Sequence, residues 1–184
     1  MPIGRIKSSW RDDRDRSIDE VAGALAYITW KIALESARDL HGEGYEYVSD
    51  PQRAAVIAEF VAFLVQASDR LVYGTFEDDD RHAFINALAQ RLADQVQDNL
   101  TDLFGPGDYR APFIETLNER LTDYAELSFE NDRPGYDNLR YFGSRVLRIM
   151  GESQTNKWVI DQIMDRAGPE AVKHLAKSVR NLLT

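Results

Sequence analysis

One acid stands inside the most apolar run of the chain. From Ala54 to Val65 the sequence reads AAVIAEFVAFLV, and Glu59 is the only position that is not apolar. A carboxylate in that setting can do three things. In a pocket it serves as a general acid or base. Opposite a cation it forms a structural ion pair. At a solvated edge it does nothing. Lys31 is the only basic residue in the apolar stretch Ala24–Leu34. If the segments on either side of residues 42–50 form an antiparallel helical hairpin, Lys31 lies level with Ala62, and Glu59 is about 4.5 Å further along. This register predicts a Lys31–Glu59 pair, with Thr29 and Gln66 meeting the remaining hydrogen bonds. A ligand site in the bundle core near Glu59 and Lys31 is the alternative.

The other residues able to do chemistry fall short of a motif. Glu77, Asp78, Asp79 and Asp80 crowd carboxylates as a magnesium or calcium site would. However, three positions after Asp78-Asp79 comes His82, and no glycine turn or closing Glu follows in register for a calcium loop. An acidic helix start, favoured by the helix dipole, accounts for the cluster. Glu43-x-x-Glu46 sits in a glycine-broken loop, so its carboxylates do not share a helical face with those of Glu77-x-x-Asp80. His41, His82 and His174 are scattered, and none is followed by Glu or His at the third or fourth residue after it. No GxSxG, P-loop or GxGxxG occurs, so neither a nucleophile nor a nucleotide cradle is legible. No catalytic, metal or cofactor residue is therefore expected.

Composition narrows the choice further. Cysteine is absent, which excludes disulfides, thiolate metal sites and cysteine nucleophiles and fits a reducing compartment. Residues 1–136 carry 14 Lys and Arg against 26 Asp and Glu, and residues 137–184 carry 8 against 5. The acidic part opposes binding to nucleic acid or an anionic membrane. The basic part, with Arg140, Arg145, Arg148, Lys157, Lys173, Lys177 and Arg180 near Tyr141 and Trp158, leaves weak nucleic-acid binding as a lesser alternative. No apolar run reaches the eighteen or so residues of a membrane span, and the N-terminus lacks a secretory apolar core, so a cytoplasmic protein is expected.

The elements that would carry these residues are helices throughout. Residues 1–16 mix Arg and Asp and read as a flexible arm, which Trp10 could dock. Ser17 caps a first helix reaching about His41, apolar nearly all round at its middle. Ser49 or Asp50 caps the second, Pro51 fills its first position and Gly74 stops it. A third runs from Glu77–Asp80 to the turn FGPGD, a fourth over 110–129, a fifth over 136–150, a sixth over 155–166, and a last begins at Gly168-Pro169. FINALAQRLAD (84–94) and FIETLNERLTD (113–123) share one stripe, as two amphipathic helices do on physical grounds alone. Gly143-Ser144 inside the fifth stripe signals close helix packing. No segment alternates as a strand does, so no sheet is expected.

The expectation is an all-α bundle of six to seven helices around a central antiparallel hairpin, one domain over 17–184, with 151–184 as a possible cap. The function expected is that of a non-enzymatic interaction or assembly protein. Because the first two helices need more apolar cover than their neighbours offer, a homodimer or another protein partner is expected.

Overall fold

The computed structural model describes residues 17–184, and the N-terminal arm expected over 1–16 lies outside them. The described chain is an all-α bundle. In order it forms α1 (Ile18–Gly42), α2 (Asp50–Val72), α3 (Asp78–Phe104), α4 (Arg110–Ala125), a two-residue β-ladder of β1 (Phe129–Glu130) and β2 (Arg133–Pro134), α5 (Tyr136–Met150), α6 (Val159–Gln162) and α7 (Gly168–Leu183).

Local chemistry sets the helix starts. At α1 the Ser17 hydroxyl accepts from the Glu20 N–H at 3.1 Å, and the Ser17 N–H donates to the Glu20 carboxylate at 3.2 Å. This reciprocal box satisfies two otherwise orphaned donors. At α2 the Ser49 hydroxyl accepts from the Gln52 N–H, and Pro51 occupies the first turn.

The first two helices are unequally buried. On α2, ten consecutive residues from Glu59 to Ser68 are buried, because α1, α3, α4, α5 and α7 all pack against it. On α1, Tyr27, Lys31 and Leu34 remain exposed although the sequence is apolar around much of the helix. Phe60 and Phe63 of α2 meet Phe142 of α5 edge-on and stacked, at 4.9 and 4.1 Å between ring centroids. Gly143 follows, and a Cβ there would fall 2.8 Å from the Ile160 side chain, so α5 and α6 do pack closely at this glycine.

Two expected features are corrected. The fourth helix stops at Ala125, and the chain then turns back as a short hairpin. Asn131 and Asp132 both take positive φ, 53° and 61°, which is the two-residue turn that joins antiparallel strands. The expected absence of any sheet thus fails by one small ladder. Nor is there a break before Gly168. α6 runs through a π-helical turn, Ile163–Ala167, directly into α7. Pro169 lacks an N–H and crowds the preceding turn, and widening that turn accommodates it. The Gly168 N–H bonds back to the Ile163 carbonyl, and a Cβ at Gly168 would stand 2.8 Å from that oxygen.

Candidate functional site

Glu59 is buried, 3% exposed, and its partner is not Lys31. The Arg120 Nε donates to both Glu59 oxygens at 3.0 Å, and Nη2 donates to Oε1 at 2.8 Å. Arg120 reaches inward because it lies three residues after Leu117 and four before Tyr124, on the buried face of α4. Lys31 stays exposed on α1, beside α7. The level count weighed α1 and α2 alone. It missed that α4 lays a planar, five-donor fork against the same carboxylate, which a lysine at the solvent edge does not match. Hydrogen bonding to Glu59 raises the Arg120 pKa above its usual value, against the opposing effect of burial.

The pair belongs to a wider polar layer between α2, α4 and α5. The Tyr141 hydroxyl donates to Asp123 at 2.5 Å, and the Arg145 Nε donates to the Tyr141 oxygen at 3.3 Å. Tyr124 sets its ring edge-on to Tyr141 at 4.9 Å. Its hydroxyl is buried without a hydrogen-bond partner among the described residues. Burial foremost, then the charge of Glu59, pushes the Tyr124 phenol well above its ordinary range. Burial likewise raises Tyr141, followed by its bond to Asp123. Gln66 does not serve Glu59. It exchanges two hydrogen bonds of 3.3 Å with buried Asn138 of α5. The Thr29 hydroxyl, also expected to help Glu59, is buried without a partner among the described residues.

Neither Glu59 nor Arg120 lines any of the four main cavities of the described chain. The largest, about 870 Å³, is a groove walled by α1 and α3 and floored by the start of α2. Trp30, Leu34 and Ala37 face Val96, Leu100 and Leu103 across it, over a floor that includes Ala54, Ile57 and Ala58. Leu34, Leu103 and the loop residue Val48 are 40%, 51% and 81% exposed. No signal in the linear sequence separated these residues from an ordinary core stripe, since three elements must come together before the groove exists.

The remaining candidates disperse. Asp78, Asp79 and Asp80 occupy the first turn of α3, and Arg81 spans from Asp69 at 2.8 Å to Asp78 at 3.8 Å. Among the described residues no group of three or more His, Asp or Glu side chains could hold a metal ion. His82 lines a cavity between α2, α3 and α4, whereas His174 lines the groove between α1 and α7. His41 sits at the end of α1 with Nδ1 3.3 Å from the Tyr45 carbonyl oxygen. Glu43 pairs with Arg166 at 3.3 Å. Three of the C-terminal cations line two grooves. Lys173 and Arg180 face the β-hairpin, while Lys177 faces α1. Arg145 is engaged with Tyr141 and Asp123. Lys157 lies 5.5 Å from the ring centre of exposed Trp158. Among the described residues no helix is long and apolar enough to cross a membrane. No family model, curated protein or solved structure matches the chain.

Proposed function

We propose that this chain is a non-enzymatic interaction module that docks another polypeptide in the groove between α1 and α3. One observation carries this reading: an 870 Å³ groove with an apolar floor and exposed Leu34, Val48 and Leu103 at its margins. Exposed apolar side chains clustered around a concavity mark interaction surfaces, and grooves between helices suit the apolar face of a helix. Glu59 supports the same side of the choice. With both oxygens taken by one guanidinium and no main cavity beside it, it has the surroundings of a structural ion. The cytoplasm is the compartment this reading adopts, in keeping with a cysteine-free chain.

A photo-reactive amino acid placed at Leu103 in cells tests the reading, with a second at Asn118 on α4 as control. Capture of one defined polypeptide from position 103, lost when Leu34→Glu is added and not seen from position 118, is the expected result. Equal capture from both positions would sink it.

A further inference from the structure

The reading above leaves the occupant open, and the charges on the groove point to one. The α1 wall carries Arg38 and the α3 wall carries Asp102. Neither has an ion pair or a hydrogen bond among the described residues, whereas Arg53, on the α2 side, already meets Asp50 at 3.5 Å. Among the described residues, one cation and one anion without ion-pair partners thus line the same apolar groove from different helices.

We infer that the occupant is a second copy of this chain, related by a two-fold axis running along the groove. Rotation about such an axis lays the α1 wall of each copy against the α3 wall of the other. Arg38 then faces the partner's Asp102, and the contact occurs twice, as an isologous interface requires. A two-fold axis across the groove would instead lay each α1 wall against the partner's α1 wall and leave Arg38 without an acid of the α3 wall to meet.

The apolar surface fits the same arrangement. Leu34 and Leu103 stand on opposite walls and are exposed. Ala54 and Ala58 offer only methyl groups on the floor. Under this axis Leu34 of each copy comes to the partner's Leu103, so the exposed leucines are covered in two equivalent contacts. The expected division of labour is conventional: the leucines supply affinity, and the Arg38–Asp102 pairs select the axis.

This inference rests on the groove being a polypeptide-binding surface, and its test separates the two. Sedimentation velocity of the purified full chain, over a concentration series, reads the association directly. The wild type is expected to be a dimer at micromolar concentration. Leu34→Glu and Leu103→Glu, both at exposed positions, are expected to be monomers with unchanged helical circular dichroism. Arg38→Asp alone and Asp102→Arg alone should each weaken dimerisation by about tenfold or more in low salt, and the two reversals in one chain should restore it. A wild type that stays monomeric at roughly 100 μM overturns the self-association, because an interface of standard size holds well below that concentration. A dimer that survives both leucine changes overturns its location. A dimer broken by the leucine changes but indifferent to the charge reversals overturns the axis. If the wild type is monomeric while Leu103 still captures a different polypeptide in cells, the groove reading stands and the second copy does not.

Discussion

Two eleven-residue segments with one pattern meet different fates in this molecule. FINALAQRLAD on α3 and FIETLNERLTD on α4 each bury the Phe and the first Leu, and each carries an Arg in the eighth place. On α3 that Arg is Arg91, which pairs with Asp19 at 2.7 Å at the solvent edge of α1, with side chains 47% and 70% exposed. Its guanidinium lies over Gly23, where a Cβ would approach to 3.2 Å. On α4 it is Arg120, which pairs with Glu59 on the buried helix α2, with side chains 11% and 4% exposed. The spacing placed both arginines beside an apolar stripe. The neighbour decided whether each charge sits in water or away from it.

The sharpest break of the contrast is to remove the acid from each pair. Glu59→Ala takes from the half-buried Arg120 guanidinium its bidentate partner, leaving the longer 3.5 Å contact with Glu119, and is expected to cost about 3 kcal/mol in denaturant-induced unfolding. Replacing the pair together, Glu59→Leu with Arg120→Met, should recover most of that loss, since desolvation offsets much of the attraction in a buried pair. A loss below about 1 kcal/mol for Glu59→Ala would show that water reaches the pair.

Next in size is the neutral pair two turns further along α2. Asn138→Ala leaves the Gln66 amide buried without its partner and should cost about 1–3 kcal/mol, read as a lowered midpoint in urea. The tyrosines sharpen the picture of the same layer. Tyr124→Phe removes a buried hydroxyl with no partner, so it should leave stability unchanged or raise it by up to about 1 kcal/mol. Its pH signature is more specific. The folded phenol titrates well above the ordinary value of 10.0, so stability is full below that pH and falls as pH rises beyond it. Tyr124→Phe should therefore flatten part of the alkaline decline in a urea series between neutral pH and pH 11. At the small end, Asp19→Asn should change stability by no more than about 1 kcal/mol, and the effect should vanish at high salt.

Much of the scaffold was legible before folding was considered. Ser17 with Glu20, Ser49 with Pro51, Asp78–Asp80 at a helix start, and Gly105 and Gly151 at helix ends are local signals, settled by hydrogen bonds within a turn or two. The stripes of α3, α4 and α5 appeared on the faces their spacing indicated, because burying an apolar face is a property of the single helix. Expectations failed where the deciding contact was remote or the backbone departed from the α period. Pro169 reads as a helix start, yet a π-turn carries the helix through it. The hairpin Phe129–Pro134 depends on two residues adopting positive φ.

The sequence by itself determined an all-α class of fold, most of the helix boundaries and the presence of one carboxylate in an apolar run. It also excluded thiol chemistry outright. Only the tertiary structure decided that Glu59 belongs to Arg120, that Gln66 belongs to Asn138, and that α1, α2 and α3 enclose a groove. The physical reason is the same in each case. A helix presents its face through contacts three and four residues apart, which the chain order encodes. A charge or a cavity is defined by what arrives from elsewhere, here across 61 residues for Arg120 and 72 for Asn138.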